Sequence, residues 1–248
     1  MADSDSFMAH LIELRDRLLR AVLAVGLVFL GLFYWAKEIY HFLALPILNV
    51  LPTGVKMIAT EITSPFFIQV KVTFVAALVV SSPYVLYQAW AFVAPGLYLH
   101  EKRLVGPLVV SSTVLFLCGM SFAYFLVFPV VFGVMKTFTP EGVEWMPDIS
   151  AYLNFAMNMF LAFGVTFEVP IVVILVVRMG VVTLEKLKEI RPYIIVGAFI
   201  VAAIVTPPDV ASQCLLAVPL WLLYELGLLV AAWMVKPNPQ PEQSTPAS

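Results

Sequence analysis

The sequence predicts an all-α membrane protein that crosses the bilayer six times. Apolar residues make up 62% of the 248 residues and charged residues only 12%, about half the charged share of a typical soluble domain. The mean hydropathy of +0.97 is too high for a soluble fold, which must also cover itself with polar surface. A net charge of −2 excludes a protein that binds nucleic acid by electrostatic attraction.

The apolar stretches between the charges define the predicted helices. The second stretch should end early at Pro95-Gly96. The third contains Pro129, which bends a helix because it removes a backbone donor. The predicted helices cover about 18–36, 70–92, 104–133, 150–178, 193–206 and 212–234, in one membrane domain at 1–235. The remainder, 236–248, is rich in Pro, Gln and Ser, which predicts a disordered cytoplasmic tail.

The fifth apolar stretch, Ile194–Val205, is too short to cross a bilayer upright. Its twelve residues give about 18 Å of helix against a hydrocarbon core of about 30 Å. Pro207 and Pro208 follow closely and favour a turn over a longer, tilted helix. We therefore expect short fifth and sixth helices that form a hairpin and thin the bilayer locally.

Lysine and arginine are concentrated on one predicted side of the membrane. That side holds the N-terminus, segments 92–103 and 178–191, and the tail, with ten of the fourteen basic residues. The cytoplasmic loops of membrane proteins carry such an excess of basic residues. Both termini are therefore predicted to be cytoplasmic, which requires an even number of crossings.

The sequence carries no signature of an enzyme, a metal site or a cofactor site. The motifs of nucleotide-binding loops, zinc proteases and serine hydrolases are absent. His10, His41 and His100 lie far apart, and the predicted topology places His41 on the opposite side from the other two. We expect no catalytic residue, no metal and no cofactor.

Two acidic residues on the predicted cytoplasmic side are candidates for binding a cation. Glu13 lies in 10–19, whose leucine spacing predicts an amphipathic helix, and Glu101 lies in the loop 92–103. A structural interpretation competes in each case. Glu13 could simply pair with Arg17 four residues on, and the loop could act only as a topology signal. The residues alone modestly favour these structural interpretations.

A third acidic residue, Glu168, falls inside the fourth predicted span. An acid at that depth costs about 2.5–3.5 kcal/mol on insertion scales, so it rarely occurs without a role. Pro170 loosens the helix nearby, because it cannot donate to the carbonyl of Thr166. Glu168 is therefore predicted either to bind a partner or to fix helix packing as a protonated, hydrogen-bonded acid.

Taken in order, these segments resemble the TatC family, the polytopic core of twin-arginine protein translocases. The similar stretches are His10–Leu19, Ser64–Phe66, Phe92–Lys102, Phe163–Pro170, Arg191–Tyr193 and Thr206–Asp209. The resemblance implies a curved, glove-like wall of six helices in the bacterial inner membrane. It also implies a receptor for twin-arginine signal peptides that exports folded proteins in an oligomeric complex with TatA-like and TatB-like single-span partners. Because no nucleotide site is present, we expect the proton-motive force to drive export.

The resemblance also implies roles for nine residues. Glu13 and Glu101 would hold the two arginines of the signal peptide, with Arg15 and Phe92 beside them. Glu168 would form a buried polar site for a partner helix. Family positions that are sensitive to change are matched by Asp209, Pro46, Phe66 and Tyr124.

The alternative function is an ion-coupled secondary transporter that uses Glu168 as its proton carrier. Such transporters usually contain paired repeats, with interrupted helices at matching positions in each half. Here both short helices fall at one end of the chain, which counts against a transporter.

Overall fold

The computed structural model describes residues 2–51, 55–93, 105–140, 142–206 and 210–234. Within these ranges, side chains are described except at 2–7, 9, 105 and 211. These parts of the chain are helical almost throughout and contain no strand. Their one extended pairing is an isolated bridge between Ile58 and Asp148. The predicted tail at 236–248 lies outside the described residues.

Long helices alternate with short loops. The α-helices of the described ranges are α1 (Ala2–Leu32), α2 (Ala36–Leu48), α3 (Ser64–Val93), α4 (Val105–Phe122), α5 (Phe128–Thr137), α6 (Ile149–Phe167), α7 (Val169–Arg178), α8 (Leu184–Glu189), α9 (Arg191–Val205) and α10 (Val210–Met234). A 3₁₀ turn at Phe33–Trp35 joins α1 to α2, and a π-helical turn at Ala123–Val127 joins α4 to α5. The helix α1 begins well before residue 18 because neither proline nor glycine precedes Gly26, so the amphipathic segment and the first span are continuous.

Five helical segments of the described chain are long and apolar enough to span a bilayer. They are His10–Leu48, Ser64–Val93, Gly106–Thr137, Ile149–Arg178 and Ser212–Met234. The helix α9 is also apolar, but its 15 residues extend only about 22 Å, less than the hydrocarbon core of about 30 Å. The predicted all-α membrane fold and the short fifth helix are thus confirmed, while six crossings with both termini on one side stay a prediction. The predicted short sixth helix is wrong, because Glu225 and Pro219 do not interrupt α10, which runs unbroken for 25 residues.

Prolines shape two of the long segments. A proline cannot donate a hydrogen bond to the carbonyl four residues earlier. In Gly106–Thr137, the π-helical turn ends at Val127, two residues before Pro129. The wider turn accommodates the hydrogen bond that the proline cannot make. In Ile149–Arg178, α6 ends at Phe167 and α7 begins at Val169, with Pro170 in its first turn. Glu168 therefore occupies a break in a membrane-length helix.

The main core lies between α3, α4, α6 and the π-helical turn, while α1 packs chiefly along α3. Glycines allow α4 and α6 to approach closely. A Cβ atom at Gly119 would overlap the carbonyl oxygen of Phe163, and one at Gly164 would overlap the ring of Phe116. Small residues at helix contacts are typical of membrane proteins, where close packing helps to drive association.

The two ends of the bundle carry different polar groups. At one end, the ring of His10 in α1 stacks on Phe92 in α3, with ring centroids 4.3 Å apart. At the other, the Ser64 hydroxyl at the start of α3 lies 2.8 Å from that of Ser150 in α6. Each end is named here for the acid it carries: the Glu13 end and the Asp148 end.

Candidate functional site

At the Glu13 end, Glu13 is paired with an arginine of its own helix. Nε and Nη2 of Arg17 donate to one oxygen of Glu13, Oε1, at 2.9 and 2.7 Å. The helix α1 brings the two together because residues four apart share a face. Both side chains keep access to solvent, with exposed fractions of 22% for Arg17 and 36% for Glu13. The carboxylate is thus accessible to a second cation.

Arg15 is turned away from Glu13, as expected for residues two apart on a helix. Its Nε and Nη2 donate to Oδ1 of its neighbour Asp16 at 3.1 and 2.9 Å. Both side chains are exposed, so the pair contributes little to stability. The structure does not bring Arg15 onto the predicted carboxylate.

Phe92 borders the same site from α3. Its ring stacks on His10, which lies one helical turn before Glu13. The helix α3 ends at Val93, so the chain leaves for 94–104 directly beside this contact. Glu101 belongs to that segment and lies outside the described residues.

A surface hollow of about 350 Å³ accompanies the pair on α1. It is lined by Ile12, Glu13, Asp16, Arg17 and Arg20. The lining mixes both signs of charge with one apolar side chain.

Glu168 is the second candidate site, and it differs from Glu13 in both burial and hydrogen bonding. Only 8% of the residue is exposed, and it lies between α6 and α7. Both carboxylate oxygens are buried and have no hydrogen-bond partner among the described residues. A buried polar group without a partner is costly, so this acid is not explained by the packing of the described helices.

A hydroxyl faces Glu168 from α4. Ser112 is fully buried and interacts electrostatically with Glu168, although their separation or angle falls short of a hydrogen bond. The same hydroxyl accepts a hydrogen bond from Nε1 of Trp90 in α3 at 2.7 Å. Trp90 and Ser112 thus form a hydrogen-bonded polar pair beside the carboxylate of Glu168.

Pro46 and Tyr124 form one unit near the Asp148 end. Pro46 lies in α2 and cannot donate to the carbonyl of Phe42, four residues earlier. The hydroxyl of Tyr124, in the π-helical turn, donates to that carbonyl at 2.6 Å, and its ring stacks on Phe42 with centroids 4.9 Å apart. Tyr124 therefore replaces the donor that Pro46 lacks.

A second tyrosine holds the same helix. The hydroxyl of Tyr152 in α6 donates to the carbonyl of Leu43 in α2, and the tyrosine is buried. Two hydroxyls from different helices therefore bind consecutive carbonyls of α2. This fixes the position of α2 against the bundle.

Asp148 fastens the loops at its end of the molecule. Its Oδ1 accepts hydrogen bonds from the amides of Ser150 and Ala151, both at 2.9 Å, and so caps α6. Its Oδ2 accepts from the amide and the hydroxyl of Thr60, at 3.1 and 2.8 Å. Hydrogen bonds from Ala151 and Thr60 hold the pKa of Asp148 below its usual value of 3.8.

The last two predicted residues are Phe66 and Asp209. Phe66 lies in the first turn of α3, exposed and edge-on to Phe67, where an aromatic ring suits the membrane–water boundary. Asp209 lies outside the described residues. Among the residues that are described, no group of His, Cys, Asp and Glu is arranged to hold a metal ion.

The sequence model of one family, described as Sec-independent protein translocase protein (TatC), matches residues 9–219 of the chain. The chain belongs to this family. The TatC protein of Haemophilus influenzae is 56% identical over 229 residues, which cover 92% of this chain and 90% of the relative. The TatC protein of Escherichia coli K12 is 51% identical over 233 residues, which cover 94% of this chain and 90% of the relative.

A solved structure gives the same answer. The crystal structure of a twin arginine translocase receptor, TatC, superposes with a TM-score of 0.81 at 39% identity, covering 90% of this chain and 98% of that one. A TatC-family chain is a translocase component of the bacterial inner membrane that crosses the bilayer several times, and not a catalytic enzyme. The predicted family and translocase function are thereby confirmed.

The TatC-family structure brings some of the predicted residues together and separates others. Phe92 lies beside the Glu13 helix, and Pro46 lies beside Tyr124. Glu168 lies at the break between α6 and α7, and its carboxylate has no hydrogen-bond partner among the described residues. The roles of all nine single residues stay predictions.

Several neighbours of these sites were not predicted. They are Tyr152, Asp148, Ser112 and Trp90. One sequence signal existed: Pro46 implies that the carbonyl of Phe42 needs a donor from elsewhere. The identity of that donor depends on helix packing, which no local pattern encodes.

Proposed function

We propose that this TatC-family chain is the receptor for twin-arginine signal peptides and binds them at the Glu13 end. The observation that supports this is an accessible carboxylate, Glu13, which already accepts a guanidinium from Arg17. A related chain of known structure is named a twin arginine translocase receptor. The same chemistry that holds Arg17 would hold an arginine of the peptide.

A second carboxylate would take the second arginine. Glu101 belongs to segment 94–104, which follows α3 beside the Phe92–His10 contact. Arginine is always charged and presents a planar fork of donors, so two carboxylates on separate elements can each bind one guanidinium. Such charge-assisted bonds contribute about 1.5–3 kcal/mol each. A lysine offers a single point of charge and would bind less well.

Glu168 is proposed to receive a hydrogen-bond donor from a TatA-like or TatB-like partner helix. Its two oxygens are buried without a partner among the described residues, which counts against the alternative of an acid that merely fixes packing. An unmet acceptor in the membrane gains more from a donor than one that water already satisfies. The proton-carrier alternative has no added support, because no chain of titratable side chains adjoins Glu168 among the described residues.

The membrane arrangement is also part of the proposal. We infer six crossings with both termini cytoplasmic, with the short α9 and the membrane-length α10 forming one edge of a curved, glove-like wall. This places the Glu13 end on the side where signal peptides arrive. Export would draw on the proton-motive force, which supplies about 2.3 kcal/mol per charge per 100 mV.

Site-specific crosslinking of a labelled twin-arginine peptide to membranes that contain the protein tests the receptor role. We expect Glu13→Gln and Glu101→Gln each to weaken crosslinking, and the double variant to abolish it. Glu185→Gln is the matched control, because Glu185 is an exposed acid of α8 on the same predicted side. Unchanged crosslinking in the double variant would contradict the proposal.

Cysteine labelling tests the orientation. After removal of Cys118 and Cys214, one cysteine is placed in the tail at 240 and another at 142, and each is exposed to a reagent that does not cross membranes. We expect labelling from opposite sides. Labelling of both from one side would contradict the even number of crossings.

The energy source is tested by measuring export after the transmembrane proton gradient has been collapsed. Export that continues without the gradient would contradict a role of the proton-motive force.

A further inference from the structure

In the Glu13–Arg17 pair, two donor nitrogens of the arginine bind the same carboxylate oxygen. Two nitrogens of Arg17 converge on Oε1 of Glu13, so the pair is not the side-by-side arrangement in which each nitrogen takes its own oxygen. An arginine binds a carboxylate most strongly in that side-by-side form, which uses both oxygens. A peptide guanidinium therefore needs Oε1, the atom that Arg17 occupies.

We propose that Arg17 is an internal placeholder that a signal-peptide arginine must displace before Glu13 can bind it. The inference rests on the proposed function, since it describes competition for the same carboxylate. In the free protein, Arg17 neutralises Glu13 and occupies Oε1, which side-by-side binding needs, although the carboxylate stays accessible to solvent. Binding exchanges one guanidinium for another, so only ligands that bind Glu13 better than Arg17 does are retained.

The strength of the pair suits a placeholder. Both partners remain partly exposed, and an exposed pair four residues apart on a helix shifts an equilibrium by only about twofold. A stronger internal pair would block the receptor, whereas no pair would leave the acid open to any basic segment. Arg17 therefore sets a low threshold on binding.

Its neighbours distinguish Arg17 from the other arginines of α1. Arg15 donates to Asp16 instead of Glu13. Arg20 lines the same hollow but is three residues beyond Arg17 and seven beyond Glu13. Arg20 thus shares the local charge of Arg17 without its contact, which makes it a matched control.

The test measures binding of fluorescent synthetic peptides to the full-length protein in nanodiscs. One peptide carries the arginine pair and another carries two lysines instead. We expect Arg17→Gln to lower the Kd of both peptides by the same factor, about twofold, because displacement is required of either. Arg20→Gln should produce a smaller change that disappears at high salt, since it acts only through screened charge.

A double variant isolates the contact. In a Glu13→Gln background, we expect Arg17→Gln to give no further gain, because the acceptor that it releases is already lost. Arg17→Lys keeps the charge and replaces the planar fork by a single ammonium nitrogen, so it should strengthen binding less than Arg17→Gln does. It also supplies a second measurement if Arg17→Gln lowers the yield of folded protein.

The outcomes separate the two proposals. If Glu13→Gln leaves binding of the arginine peptide unchanged, the receptor site itself is wrong. If Glu13→Gln weakens binding and Arg17→Gln weakens it too, the placeholder alone is wrong, and Arg17 instead positions Glu13. If Arg17→Gln leaves binding unchanged, the placeholder is also wrong, and Arg17 has no part in binding. A gain for one peptide and not the other would likewise overturn simple displacement.

Discussion

Asp148 and Glu168 lie at the two ends of one helix, α6, and are treated in opposite ways. Asp148 accepts four hydrogen bonds, two from the first amides of α6 and two from Thr60. Glu168 follows the last residue of α6 and accepts none from the described residues, although it is the more buried of the two. The same functional group is thus fully bonded at one end and unpartnered at the other.

The helix itself explains part of this difference. The N-terminus of a helix exposes free amides and a partial positive charge, and its C-terminus exposes free carbonyls and a partial negative charge. Asp148 is therefore stabilised where it lies, and it joins two loops. Glu168 follows the C-terminus of α6 and is also the N-cap residue of α7, but its side chain makes no capping hydrogen bond to the first amides of α7. We infer that it is kept for a ligand, the proposed partner helix.

The largest expected effect concerns Glu168→Met, which replaces the acid with an apolar side chain of similar volume. Export of a twin-arginine reporter should fall at least tenfold, because a charge-assisted bond of about 1.5–3 kcal/mol to the partner is lost. Thermal stability of the purified protein should not fall, because a buried acceptor without a partner has been removed.

Glu225→Gln serves as the comparison for Glu168→Met. Glu225 also lies in a membrane-length helix, but it accepts a hydrogen bond from Nη2 of Arg191 at 2.6 Å. Glu225→Gln should therefore lower the thermal stability of the protein, because the guanidinium of Arg191 loses its carboxylate partner. A loss of stability in Glu168→Met equal to that in Glu225→Gln would show that Glu168 is structural.

The second expected effect concerns Tyr124→Phe, which removes the donor to the carbonyl of Phe42. Because Pro46 cannot replace that donor, we expect a loss of about 1–2 kcal/mol, since the carbonyl left unpaired is partly buried. In a Pro46→Ala background, an amide becomes available within α2, and the cost of Tyr124→Phe should shrink. Unfolding of the four proteins of this double-mutant cycle measures the coupling; additive losses would contradict it.

The third expected effect concerns Asp148→Ala, which removes the cap of α6 and the link to Thr60. We expect a loss of about 1 kcal/mol, the usual cost of removing an N-cap side chain. Asp148→Asn should cost less, because asparagine also caps helices. Export should decline only as far as the amount of folded protein does; a larger decline in export would give Asp148 a role beyond architecture.

The sequence predicts contacts between residues that are close along the chain and misses contacts between residues that are far apart along it. The apolar spans and the Glu13–Arg17 pair depend on residues within a few positions of each other, so periodicity and charge reveal them. The bonds from Tyr124 to Phe42 and from Thr60 to Asp148 join residues 82 and 88 positions apart. Only the packing of helices brings such partners together, and no local pattern specifies it.

The predicted importance of Pro46 and Tyr124 shows the same limit. The family resemblance implies that both positions are sensitive, but it gives no reason that connects them. The structure supplies the reason, because one residue lacks a donor and the other provides it. The roles of Glu101 and Asp209 have no such account, since both lie outside the described residues.

The smallest expected effect is the part of the acid-range pH dependence that Asp148 contributes. Hydrogen bonds from Ala151 and Thr60 lower its folded-state pKa below 3.8, so its contribution to stability is complete above 3.8 and is lost as the pH falls through the folded-state pKa. Between pH 5 and pH 3, thermal unfolding of the unaltered protein should therefore shift more than that of Asp148→Asn, which cannot titrate. Above about pH 5 the difference between the two should be constant. Equal shifts over the acid range would mean that the four hydrogen bonds do not favour the charged form, and the contrast between the two ends of α6 would then rest on geometry alone.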